Sequence, residues 1–272
     1  MSKTAISIAI GLGDNIMIRG YLDTIKHQYS EIRISHHSPI LAVYRDSDVH
    51  YHRFMNELGP LLFSEPPYVF DHGAHKHMSQ PDVLRTYNIQ VAKPNLSHLL
   101  CKGESLKLNK PYIVLTTKVR MLNKHIFYPL SVELWGIIRK LSEKYTIVVM
   151  GEREVEKSKE YVNNLIEVYS LYEQIISNIP NERILDITVP ALGITAPSMT
   201  KLQQDCLIMK EAAFVLAIGV GGNYCTSLAV ANTICFRAEA DPAVDTLASR
   251  NYNDVFITRD FGNLKRKLME YA

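Results

Sequence analysis

The chain has 272 residues, 47% hydrophobic and 21% charged, the balance of an ordinary folded globule long enough for two small domains. Thirty basic residues against 28 acidic ones leave a net charge of +2, which excludes bulk nucleic-acid binding. Four cysteines without Cys-x-x-Cys spacing, no signal-peptide pattern and no apolar run long enough to span a bilayer set the expectation of a reducing, cytoplasmic setting.

In chain order, strands are predicted at 4–10, 31–35, 40–44 and 67–71, and helices at 16–29, 48–58 and 80–87. The first strand runs into Gly11-Leu12-Gly13-Asp14-Asn15, and the helix after it carries Ile16, Tyr21, Leu22, Ile25 and Tyr29 at helical spacing. Glycines at such a turn let backbone approach a ligand closely, and the helix N-terminus beyond them favours negative charge. Asp14 therefore reads either as a helix cap or as a candidate base facing the crevice where open α/β sheets bind ligands. The turn is not a dinucleotide fingerprint. Position 16 is Ile16 rather than glycine, and the second strand ends in His36-His37 instead of an acid.

Asp71, His72, His75 and His77 form a loop rich in possible metal ligands, but their spacing alone does not build a tetrahedral site. The expectation is no metal, with His75 contacting substrate. The segment 95–101 reads as a short connector. The polar segment 102–111, ending in Pro111, is an interdomain linker by composition. It divides the chain into an N-terminal domain at 1–105 and a C-terminal domain at 106–272.

Beyond the linker the α/β rhythm restarts. Strands are predicted at 112–116, 146–150, 184–187, 214–218 and 233–236, and helices at 131–145, 154–179, 199–212, 225–232 and 264–271. Trp135 falls on the apolar stripe of its helix and reads as core. Lys265-Arg266-Lys267 is a small basic patch on the last helix, a solvated face or a point of peripheral membrane contact. Strands alternating with helices imply parallel sheets, hence two doubly wound Rossmann-like domains with a cleft between them. The last helix is free to pack back on the N-terminal domain.

Two stretches of the second half look built for an anion. Thr116, Thr117, Lys118, Arg120 and Lys124 follow the strand at 112–116, on the ligand-facing edge of a parallel sheet. Gly219-Val220-Gly221-Gly222-Asn223 follows the strand at 214–218, and Thr226 and Ser227 begin the helix after it. Backbone N–H groups and hydroxyls there suit a diphosphate. No Gly-Lys-Ser/Thr follows, so this is not a Walker A loop. Cys225 sits near the same helix start without a histidine placed beside it by the sequence.

Gly11 to Met17, Tyr112 to Lys118 with Lys124, Leu134 to Leu141, Ile147 to Gly151 and Phe214 to Ala231 together resemble a GT-B glycosyltransferase, in particular glycosyltransferase family 9, the lipopolysaccharide heptosyltransferases. The resemblance implies a metal-independent transferase that moves a sugar from a nucleotide-diphosphate sugar to a saccharide or glycan acceptor, with no cofactor. Asp14 would be the general base. Thr116, Thr117, Lys118 or Lys124, Gly151, Glu152, Gly221, Gly222, Asn223, Thr226 and Ser227 would bind the donor. Gly11, Gly13, Asn15 and His75 would lie on the acceptor side. A monomer or weak dimer is expected.

This chain departs from the family pattern at its second turn, which has no aspartate. Cys225, Thr226 or Ser227 stands near the place of the family's histidine. A nucleotide-sugar epimerase, a pyruvyl transferase and a non-catalytic nucleotide-sugar-binding protein are the alternatives.

Overall fold

The computed structural model describes residues 4–8, 31–35, 51–53, 69–71, 95–100, 104–122, 132–154, 166–190, 199–218, 222–236 and 254–272, together with positions 16, 19, 23, 27 and 43. Twelve strands lie among them.

The first four are β1 (Thr4–Ile8), β2 (Glu31–Ser35), β3 (Tyr51–Arg53) and β4 (Val69–Asp71), joined in a parallel sheet of order β3-β2-β1-β4. Parallel neighbours need crossover connections, usually helical, and Ile16, Arg19 and Asp23 are helical between β1 and β2. Arg19, only 1% exposed, donates through Nη1 to the Val43 carbonyl at 2.8 Å and through Nε to Asp23 at 2.9 Å.

The second sheet has six strands: β5 (Tyr112–Thr116), β7 (Thr146–Met150), β9 (Ile184–Asp186), β10 (Val215–Ile218), β11 (Thr233–Phe236) and β12 (Val255–Thr258). All pairs are parallel, in the order β9-β7-β5-β10-β11-β12. Counted from β5, this is the doubly wound order 3-2-1-4-5-6, with its switch point between β5 and β10. The apolar runs of β5, β10 and most of β7 are fully buried, as strands covered on both faces must be.

Helices α1 (Ser97–Leu100), α2 (Val132–Lys144), α3 (Tyr172–Asn178), α4 (Met199–Glu211), α5 (Gly222–Val230) and α6 (Phe261–Met269) accompany these sheets. Helix α2 packs against α6, and α4 packs against both α1 and α5. The core joins Leu134, Trp135, Ile138, Phe214, Leu264 and Leu268. Phe214 sets its ring 4.4 Å from that of Tyr271 and edge-on to Tyr145 at 6.3 Å.

The remaining two strands, β6 (Lys118–Leu122) and β8 (Ile166–Ser170), form a separate antiparallel ribbon that pairs Lys118 with Ser170 and Leu122 with Ile166.

Several predictions of local structure are corrected here. The helix predicted over 154–179 is interrupted by β8, because the β-branched and aromatic run Ile166–Ser170 pairs with β6. Among residues 166–179 the helix is α3. Residues 118–122, where no strand was predicted, are the other half of that ribbon. Residues 51–53, predicted helical, extend the first sheet beside β2. Val43, predicted in a strand, is in a 3-10 turn. Strand β12 completes the second sheet where none was predicted, and residues 97–100 of the expected connector are helical.

The linker segment carries no regular structure over 104–111, but it is tied to α4. Glu104 and Gln204 exchange two bonds: the Glu104 N–H donates to Gln204 Oε1 at 3.0 Å, and Gln204 Nε2 donates to the Glu104 carbonyl at 2.6 Å. Ser105 Oγ donates to Glu211 at 2.7 Å.

Candidate active site

Open α/β sheets bind ligands outside the carboxyl ends of their strands, at the switch point. At the carboxyl end of β5, Thr116 pairs with Met150 of β7. The ladder continues one residue further, because the Thr117 N–H donates to the Met150 carbonyl at 2.9 Å. On the other side, β10 pairs with β5 through Val215–Val114 and Leu216–Leu115, so Ala217 and Ile218, the last residues of β10, come level with Thr116 and Thr117. Gly222 opens α5 and Asn223 follows it. Thr226 and Ser227, in the first turns of α5, are 1% and 0% exposed.

The end of β7 is held more tightly than a free strand end requires. Gly151 has φ of 120°, a conformation glycine adopts without the steric cost other residues meet. Its carbonyl accepts from the Val189 N–H, and the Val189 carbonyl accepts from the Arg153 N–H, both at 2.9 Å. The carbonyl of Glu152, the residue between them, accepts two hydroxyls: Thr117 Oγ1 at 2.8 Å and Ser170 Oγ at 2.9 Å. The Thr117 carbonyl takes the Leu171 N–H at 2.8 Å, and Ser170 Oγ also accepts the Tyr172 N–H at 3.2 Å. Glu152 is buried as a whole residue, at 8% exposure.

Beside it lies a charged cluster. Asp186, the last residue of β9, accepts from Arg153 Nη2 at 2.9 Å, from the Tyr172 hydroxyl at 2.8 Å and from the Thr188 N–H and hydroxyl at 2.9 and 2.5 Å. Burial would raise its pKa. The Thr188 bonds, the Tyr172 hydroxyl and the Arg153 charge outweigh that and hold the carboxyl below its ordinary range. The Tyr172 hydroxyl is pushed up, chiefly by its bond to Asp186.

Of the residues expected to act, Thr116, Thr117, Gly151 and Glu152 are brought together at one sheet edge. Lys118 starts the ribbon that springs from that edge. Gly222, Asn223, Thr226 and Ser227 belong to the helix after the neighbouring strand. Gly11, Gly13, Asp14, Asn15, His75, Lys124 and Gly221 lie outside the described residues.

Ser170 was missed, because residues 154–179 read as one helix. Ser170-Leu171-Tyr172-Glu173, a Ser-x-x-Glu signature of a helix start, was the available signal. Among the described residues no three His, Cys, Asp or Glu side chains are grouped as metal ligands, and no helix is long and apolar enough to cross a membrane. Each member of the basic patch has a partner: Lys265 pairs with Glu133, Arg266 with Asn263 and Lys267 with Glu270.

No protein-family model matches the chain, and no curated protein matches it. Solved structures do. The iron-containing dodecameric glycosyltransferase TibC from enterotoxigenic E. coli H10407 superposes with a TM-score of 0.52 at 12% identity over 89% of this chain. The chain spans 60% of the length of TibC. The glycosyl transferase family 9 structure from Veillonella parvula DSM 2008 superposes with a TM-score of 0.51 at 9% identity, over 98% of this chain and 89% of that one. At these identities the likeness to the two glycosyltransferases is one of fold.

Proposed function

We propose that the protein is a glycosyltransferase that moves a sugar from a nucleotide-diphosphate sugar to a saccharide acceptor. The carrying observation is the meeting of Thr116, Thr117 and Gly151-Glu152 at the carboxyl edge of β5 and β7, with α5 starting after the adjacent strand β10. A diphosphate suits the start of α5, where unpaired N–H groups and the helix dipole favour negative charge. Glu152 lies two residues past the end of the second strand of a 3-2-1-4-5-6 sheet, the region from which an acid reaches a ribose hydroxyl in dinucleotide-binding sheets. Likeness of fold to family 9 glycosyltransferases supports the transfer reading over the epimerase and pyruvyl transferase alternatives.

In this reading 1–105 and 106–272 are the acceptor and donor domains of a two-domain GT-B arrangement. Asp14 takes the proton from the acceptor hydroxyl as that oxygen attacks the anomeric carbon of the donor. The bond from that carbon to the diphosphate breaks, and the leaving charge is met by Lys118 or Lys124 and by backbone N–H groups at Gly221 to Asn223. No step is assigned to a metal. Gly11, Gly13, Asn15 and His75 face the acceptor. Closure of the domains over both substrates keeps water from the donor.

The test is Asp14→Asn in a transfer assay, alongside calorimetric titration with nucleoside diphosphates. Transfer should fall by roughly 10²–10⁴-fold while nucleotide affinity holds. Full transfer by the variant removes Asp14 as base. The absence of an aspartate from Gly219-Val-Gly-Gly-Asn223 favours one second reading, a binding protein without turnover. Nucleotide-sugar binding with no product from any acceptor pool would select it.

A further inference from the structure

We infer that Ser170, with Thr117, is a positioning residue for Glu152, and that this pair of hydroxyls sets the preference of the site for ribonucleotides over 2′-deoxyribonucleotides. The inference rests on the reading of this edge as a nucleotide site.

A peptide carbonyl has two lone pairs. At Glu152 both are met by side-chain hydroxyls from different elements, Thr117 at the end of β5 and Ser170 at the end of β8. The peptide units on either side of the residue are held as well, through the bridge to Val189. With both flanking peptides fixed, the direction in which the Glu152 side chain leaves the backbone is fixed too.

The two hydroxyls are also at the root of one structure. Thr117 immediately precedes β6, Ser170 closes β8, and the first residue of β6 pairs with Ser170. The ribbon therefore shuts at its base by gripping Glu152. Ser170 ties the same point to α3 by accepting the Tyr172 N–H. A carboxylate that must accept from a ribose hydroxyl gains selectivity only if it is held where that hydroxyl arrives, because a displaced acceptor loses the bond for the correct ligand and tolerates its absence in the wrong one.

The experiment is titration calorimetry on the full chain. ADP, GDP, UDP and CDP are screened, and the tightest is compared with its 2′-deoxy form. The wild type should prefer the ribose form by about tenfold or more, the size of one hydrogen bond to a charged group. Glu152→Gln should narrow that ratio. Ser170→Ala should narrow it severalfold with little change in affinity for the deoxy form, and Ser170→Thr, which keeps the hydroxyl, should restore it. Thr117→Val against Thr117→Ser reads the same bracket from its other side if Ser170→Ala does not fold.

A wild-type ratio in Ser170→Ala and Thr117→Val, with Glu152→Gln narrowed, overturns the positioning role and leaves the ribose contact standing. A wild-type ratio in Glu152→Gln overturns the ribose contact itself. Failure of all four diphosphates to bind overturns both, together with the nucleotide reading.

Discussion

The two parallel sheets share an order around their first strand and differ in almost everything else. The first runs β3-β2-β1-β4 and the second β9-β7-β5-β10, each with its second strand beside the first and a switch point on the other side. The strands of the second are apolar runs such as TIVVM and VLAI, whereas EIRIS and YHR in the first carry charge. The second rests on an aromatic and aliphatic core around Phe214, and beside the first a buried arginine, Arg19, ties a helical position to residue 43. The residues that follow their second strands also differ, Gly151-Glu152 after Met150 and two histidines after Ser35. One topology therefore presents two differently equipped sheet edges.

The comparison can be strained at both cores. Phe214→Ala removes a fully buried ring from the central strand region and should cost about 3–5 kcal/mol in denaturant unfolding. Arg19→Met keeps volume but withdraws the guanidinium from the Val43 carbonyl and from Asp23, and should cost about 3 kcal/mol. A cost no larger than that of a surface substitution would remove the claim that the first half leans on a buried polar tie.

Two carboxylates flanking the second sheet sharpen the picture through pH. Asp186 is held below its ordinary value of 3.8, so it adds stability above that value and loses the contribution as pH falls through its lowered folded value. Asp205 is raised by burial, which Lys201 only partly offsets, so the folded state binds its proton more tightly than the unfolded chain does. Its effect has the opposite sign: stability is lost as pH rises from 3.8 through the raised value. Unfolding midpoints followed from pH 7 to pH 3 should therefore fall less steeply in Asp186→Asn and more steeply in Asp205→Asn than in the wild type. Changes of the same sign in both variants would contradict the assignment.

The smallest effect is at a helix start. Asp260 accepts the Asn263 N–H at 2.6 Å as the cap of α6, and Asp260→Ala should cost about 1 kcal/mol by thermal unfolding.

What the sequence made legible follows from burial. Strands β5, β7, β10 and β11 are apolar runs that only a sheet covered on both faces explains, and α2 and α4 carry helical spacing across 13 residues each. The strands that escaped are decided by their partners. Lys118–Leu122 carries charged and apolar residues in alternation and escaped as a strand, because its pairing strand lies some fifty residues on and was itself hidden in an apparent helix. Strand β3 has three residues with no pattern of its own, and it exists because β2 offers an edge. The site divides the same way. Thr116, Thr117 and Glu152 are strand ends, readable once the strands are. Ser170 became visible only when β8 was seen to return to the foot of β6.

Hydrogen–deuterium exchange on the full chain, with and without the tightest-binding nucleoside diphosphate, tests the division between the two sheets most directly. The account predicts slowed exchange at 116–117, 151–152 and 222–227, with 31–35 and 51–53 unchanged. Protection confined to the first sheet would contradict it.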